Sequence, residues 1–310
     1  MNDFPRLPER ELPPGRHRVL KEHLMRETQP EPAPVRKTWR RPAFAVPLAA
    51  AAVAGATVFA LSSAGPGGGG GAQPAFSPEA VGLLEDIALA AQRADVPDSV
   101  RDDQFVYIES RVGYVQYAEG KKPRFAPVHK RETWKSVDGT REGLLREKGE
   151  NIDNGEIELE PDTPGIASNT NYRHLQTLPT DPAKMLDWLH RTSEGGKSED
   201  QNTFVLVGDL IHESLMPPEV SAALYRAAAK IPGVVVVPDA VDAAGRHGVA
   251  VAREDDGILE QLIFDKETKA FLGEREVVVE DTRGGLKKGD LAGTSAVLER
   301  SVVDEAGRTP

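Results

Sequence analysis

The side chains that could do chemistry are thinly spread. There are seven histidines: His17, His23, His129, His174, His190, His212 and His247. None stands in a His-Glu-x-x-His frame, and beyond residue 65 no two are four residues apart. The spacing that sets two imidazoles on one helical face for zinc is therefore missing. His190 and His212 fall on two expected helices and could converge, although helix-end or surface roles explain them as well. With no cysteine in the chain, disulfides, thiolate metal sites and thiol nucleophiles are excluded together. No Gly-x-Ser-x-Gly elbow supplies a serine nucleophile. The acids Asp102-Asp103 and Glu254-Asp255-Asp256 read as solvated turns. Asn151-Ile152-Asp153-Asn154-Gly155 brings its glycine one position too early for a calcium loop. Gly65-Pro66-Gly67-Gly68-Gly69-Gly70-Gly71 lacks the Gly-Lys-Ser/Thr ending of a phosphate loop and reads as a flexible tether. The remaining candidates are ligand-facing or motif residues: Phe105, Tyr107 and Trp134 on expected strands, and the triplet Tyr172-Arg173-His174. That triplet serves equally well as a loop anchored by Tyr172 and Leu175. No catalytic residue, metal ligand or cofactor is expected.

Charge sorts the chain. The formal net charge is −11. Residues 1–41 carry a net of +4 and 42–65 carry none, which leaves −15 on everything from Pro66 onward. So acidic a surface argues against binding nucleic acid, whose recognition needs phosphates neutralised by lysine and arginine.

Between the two charged parts lies Ala43–Ala64, an uncharged run preceded directly by Arg40 and Arg41. As a helix it would reach about 33 Å, enough to cross a hydrocarbon core of about 30 Å. Arginines on its N-terminal side place the N-terminus in the cytoplasm and the acidic part outside. Two other readings stay open: a cleaved export signal with a twin arginine, and a buried helix of a globular domain. The proline-rich residues 1–41 bury too little to fold, apart from a short amphipathic helix over Gly15–Glu27 that either docks on a partner or frays.

From Ser77 the pattern is that of a packed domain. Ser77-Pro78-Glu79 opens a helix that runs to about Arg93. Gln104–Tyr117, Val128–Val137 and Thr140–Lys148 read as a three-stranded meander, with Asp138-Gly139 as a type I′ turn. Residues 149–179 resist assignment. Helices are expected from Pro182, over Phe204–Leu215 after a polar connection at Ser193–Asn202, and from Pro218 to the stop at Pro232-Gly233. A second strand block follows: Val234–Val237, Gly248–Arg253, Ile258–Phe264, Phe271–Glu280 and Thr294–Val303. This order predicts an α+β fold, an antiparallel sheet with helices packed on one face. The expected organisation is a basic tail (1–41), a transmembrane helix (42–64), a linker (65–76) and an extracytoplasmic domain (77–310).

Three stretches carry a resemblance: PPGRHRVLKEHLMRE (13–27), YRHLQTLPTDP (172–182) and PPEVSAALYRAAAKIPGV (217–234), with IFDKETKAFLGERE (263–276) in support. With the tail–helix–linker–domain layout, they make the chain resemble an uncharacterised actinobacterial family of single-pass membrane proteins. Its members are often encoded beside extracytoplasmic-function sigma factors. More remotely, the element order is similar to the lipoprotein-carrier fold of LolA and RseB, a half-open antiparallel barrel with helices on its concave face. The resemblance implies an extracytoplasmic binding or sensor domain on a membrane anchor. Its partners would be the bilayer, a lipid or other apolar ligand, and a sigma factor or other cytoplasmic protein at the tail. The tail lacks the His-x₃-Cys-x₂-Cys motif of zinc-type anti-sigma domains. A structural protein of the cell envelope, or an exported domain after signal cleavage, is the alternative.

Overall fold

Ser77 begins the first helix as its sequence predicts, its hydroxyl accepting a hydrogen bond from the Ala80 N–H. In the computed structural model, which describes residues 76–94, 99–118, 121–148 and 155–310, helix α1 spans Pro78–Gln92 and buries Ala80, Leu84, Ile87 and Ala88. The basic tail, the Ala43–Ala64 run, the glycine tether and the Asn151–Asn154 turn lie outside these residues. No helix among the described residues is long and apolar enough to cross a membrane.

The strands are β1 (Phe105–Gln116), β2 (Arg124–Phe125), β3 (His129–Ser136), β4 (Gly143–Glu147), β5 (Glu156–Leu159), β6 (Val235–Val241), β7 (His247–Asp255), β8 (Ile258–Phe264), β9 (Phe271–Val278) and β10 (Leu291–Val303). They form one sheet in the order β5-β4-β3-β1-β10-β9-β8-β7-β6, with the short β2 paired to the end of β1. Every pairing is antiparallel. The two strand blocks expected as separate meanders are a single sheet because β10 lies between β1 and β9. Its partners run from Phe105↔Val303 to Tyr114↔Gly293 on one side and Leu291↔Val277 to Thr294↔Arg275 on the other.

Between the blocks come α2 (Tyr172–Leu175), α3 (Pro182–Thr192), α4 (Glu199–His212) and α5 (Pro218–Ala228). Their apolar stripes meet those of α1 and one face of β7 and β8 in the main core, where Leu84, Met185, Phe204, Leu210 and Leu224 pack with Val251, Leu262 and Phe264. Each buried side chain of this size contributes about 1.5–3 kcal/mol. The helices therefore cover one face, as the α+β pattern requires.

Two local expectations are corrected. Helix α4 starts at Glu199, not Phe204: Ser198 caps it by accepting from the Gln201 N–H, and Glu199 and Asp200 fill the first turn. Its start looks like a loop because Gln201 and Thr203, both buried, are polar. The Asp138-Gly139 turn is not type I′. Only Gly139 has positive φ, and the last register pair of β3 and β4 is Trp134↔Leu144, so the connection is a longer loop. The type I′ turn is Asp256-Gly257, with φ of 51° and 76°, joining the paired Asp255 and Ile258. The unassigned stretch holds β5 and the single turn α2.

The far face is clasped by Arg246. In the turn after β6 it donates to Asp242, whose side chain is fully buried, and to the carbonyls of Leu272 on β9 and Val297 on β10. Arg246→Ala is expected to lower stability by about 2 kcal/mol, because it strips one partner from a buried carboxylate and unpairs two carbonyls. Urea titration checks this.

Candidate functional site

Strand β3 reads HKRETWKS, and its register with β1 decides which of these side chains meet. Ile108 faces Thr133, Ser110 faces Arg131 and Val112 faces His129; β4 then sets Leu145 opposite Thr133 and Glu147 opposite Arg131. Directly paired residues share a face. Ile108 packs with Tyr172 and Val297 in a small cluster that also touches Leu215, just beyond α4. His129, Arg131, Thr133, Lys135 and Glu147 thus lie on the helix-covered face.

There they form a charged array. Arg131 Nε is 2.9 Å from Glu213 Oε1, and its Nη1 is 3.6 Å from Glu147 Oε2. Glu147 Oε1 also receives the Tyr114 hydroxyl at 2.7 Å and lies 2.5 Å from His129 Nε2. Lys135 Nζ is 3.6 Å from Glu213 Oε2 and donates to Thr170 Oγ1 at 3.1 Å. The side chains of Glu213, Lys135 and Arg131 are only 19%, 19% and 24% exposed.

Glu213 terminates α4, the end of a helix where a negative charge is least welcome. Burial would raise its pKa, but Arg131, Lys135 and His212 outweigh burial and hold it at about 2. Burial, reinforced by Glu147, pushes the Tyr114 hydroxyl well above the usual tyrosine range, so it stays a donor. A second cation meets the same helix end. Arg300 donates to the carbonyls of Ile211 and Ser214, and its guanidinium lies 5.6 Å over the Phe271 ring. Burial lowers its pKa to about 10, so it remains charged at neutral pH.

An apolar row adjoins the array. Along the register Ile108–Thr133–Leu145–Ile157, exposure rises from 1% to 2%, 9% and 44%. The row runs from beneath the helical cover to the outermost strand. Thr133 Oγ1, within it, is buried without a hydrogen-bond partner among the described residues.

The residues singled out from sequence lie elsewhere. Phe105, Tyr107 and Trp134 belong to the opposite face, clustered with Val303 and Leu144. The Trp134 indole N–H donates to the Arg308 carbonyl and its ring lies 4.8 Å under Arg146; Arg141 lies over Phe105. Tyr172 is buried against Val106 and Ile108. Arg173 is a staple, donating to Asp102 and to the Val100 carbonyl, and His174 Nε2 lies 2.8 Å from the Ala167 carbonyl. Only Tyr172 adjoins the apolar row. His212 lies 3.6 Å from Glu274. No group of three or more histidine, aspartate or glutamate side chains among the described residues could hold a metal ion.

No protein-family model matches the chain, and no curated protein matches it. Among solved structures it is similar to MucB in its complex with MucA(peri), at 12% identity and a TM-score of 0.23; the match covers 74% of this chain and 57% of MucB. It is also similar to a LolA superfamily protein from Nitrosomonas europaea, at 8% identity and a TM-score of 0.21, covering 73% of this chain and 94% of that one. These values are too low to bear on function. The α+β fold with one antiparallel sheet stands on its own strand order.

Proposed function

We propose that the chain is a non-enzymatic, single-pass membrane protein whose extracytoplasmic domain binds an amphiphile with an anionic head and signals its presence. One observation carries this: an apolar row that climbs to the sheet edge lies beside two cations, Arg131 and Lys135, under a helical cover. An acyl chain laid on Ile157, and following the row inward past Leu145 to Ile108 once the end of α4 is released, would gain about 0.8 kcal/mol per buried methylene. Thr133 Oγ1, which has no hydrogen-bond partner among the described residues, lies in the same row and could pair with a polar group of the head. The head group would take the place of the Glu213 carboxylate on Arg131 and Lys135 and so release the end of α4. That release is the signal, passed through the tether and the Ala43–Ala64 anchor to a cytoplasmic protein, a sigma factor in the resemblance, docked on residues 1–41.

The test is lipid extraction and mass spectrometry of the full chain purified in mild detergent. A co-purifying amphiphile is expected, with its yield reduced about tenfold by Ile157→Glu, a change at an exposed position that leaves the fold intact. A wild-type chain that carries no amphiphile, and takes up none when offered a fatty acid, ends this reading. The second reading, an envelope interaction protein without a ligand, draws on the filled core between α3–α5 and β7–β8.

A further inference from the structure

Two basic loops stand out on this acidic domain. The β1–β2 hairpin carries Lys121, Lys122 and Arg124, and the β9–β10 connection carries Arg283, Lys287 and Lys288; all six are exposed. The two loops touch. A Cβ on Gly284 would lie 3.6 Å from the Tyr117 ring and hydroxyl, and one on Gly285 would lie 3.5 Å from Pro123. Against the six cations, residues 117–124 and 280–290 hold Glu119, Glu280, Asp281 and Asp290. The patch is net positive in a region of the chain whose total is −15. Exposed apolar and aromatic groups flank it: Tyr114, Tyr117 and Val128, at 40%, 43% and 40% exposure.

The chain enters the domain at the same end of the strands. Helices α1 and α5 run antiparallel, since Arg226 pairs with Glu85 while Gln92 donates to Glu219. The start of α1 therefore neighbours the end of α5, which leads through Ile231 and Val234 into Val235 of β6. Register carries Val235 across the sheet through Ala252, Gln261, Arg275 and Thr294 to Gly113, one residue before Tyr114. The start of α1 and the basic loops share that end of the sheet.

We infer that this end of the domain docks on an anionic lipid surface, the lysines and arginines meeting head groups and the tyrosines lying at the interface. Lysine and arginine within a Debye length of such a surface are attracted to it, and tyrosine favours the interfacial layer. The inference rests on the membrane reading for its setting, but its test separates the two.

Full chain is mixed with vesicles of phosphatidylcholine alone and of equal phosphatidylcholine and phosphatidylglycerol. Flotation reports the anchor. Trypsin cleavage at Arg124 and Arg283 reports docking, with Arg101, beyond the opposite end of β1, as internal control. Cleavage at the two sites is expected to slow about tenfold with the anionic vesicles only, an effect of one to two effective cationic contacts. Higher salt, or Lys121→Glu with Lys122→Glu, should restore it. Equal cleavage with both vesicles overturns the inference, as does equal protection by both. Protection by anionic vesicles of a chain that does not float with neutral ones upholds docking and removes the anchor.

Discussion

Gly273→Ala is expected to destabilise the domain by about 4 kcal/mol, enough to abolish cooperative folding in a domain of ordinary stability. Gly273 lies on β9 directly against the backbone of β10. A Cβ there would strike the Ser295 carbonyl oxygen and come within 2.8 Å of the Ser295 carbonyl carbon and 2.9 Å of the Ala296 Cα. All three are backbone atoms, so no rotamer change relieves the contact. Crowding by one methyl costs about 1–3 kcal/mol where side chains can give way. Here the strands themselves must part, and the bonds tying them go too: Glu274 N–H to Ser295 Oγ at 3.0 Å and Thr294 Oγ1 to the Glu274 carbonyl at 3.3 Å. This seam lies between β10 and β9, so separation there divides the sheet into β5-β4-β3-β1-β10 and β9-β8-β7-β6. The control is Gly82→Ala on α1, where an added Cβ meets nothing within 4 Å. That change should stabilise by about 0.5–1 kcal/mol through helix propensity. Thermal melting of both variants checks the opposite signs, and a Gly273→Ala protein that melts with the wild type refutes the seam argument.

The seam also shows where sequence reading stops. The helix starts at Ser77 and Asp181 are written in cap and proline chemistry, and Ile258–Phe264 is bounded by turns on both sides, so these elements are legible residue by residue. That β10 unites two meanders is not legible. The alternation of one strand says which residues share a face, and says nothing about which strand will lie beside it. The same gap hid the charged array. Arg131, Glu147 and Glu213 come from β3, β4 and the end of α4, and only the register Ser110–Arg131–Glu147 brings them together. In the sequence Phe105, Tyr107 and Trp134 look like a ligand surface because they are large aromatics on strands. They are packed on the other face by Val303, Leu144 and the carbonyl of Arg308. The signal that was present is the alternation of β3 itself. It puts His129, Arg131, Thr133 and Lys135 on one face, an odd choice for a strand destined to be covered.

Glu213→Gln should make the domain less stable at neutral pH and less sensitive to acid, and should tighten its hold on anionic amphiphiles. The wild-type carboxylate is held at about 2, well below the usual 4.5, because its attraction to Arg131 and Lys135 outweighs the penalty of burial. A group whose pKa is lower in the folded state stabilises the fold above its unfolded value and loses that contribution as pH falls through the folded one. The window is therefore about pH 5 to pH 2, and the shift corresponds to roughly 3 kcal/mol. Other carboxylates with lowered pKa values, Asp239 and Asp281 among them, titrate nearby but are common to both proteins. The difference between wild type and variant isolates Glu213. Urea midpoints of the full chain from pH 7 down to about pH 2 should differ strongly between the two proteins at pH 7, draw closer through pH 3 and converge only near pH 2. Parallel curves would mean that Glu213 does not hold α4 to β3. The binding half of the prediction follows from the same pair. If an anionic head group competes with Glu213 for Arg131 and Lys135, removing the competitor's charge raises affinity by as much as the fold loses in latching. Stability and affinity must then move in opposite directions. A purely structural ion pair would lower the first and leave the second unchanged.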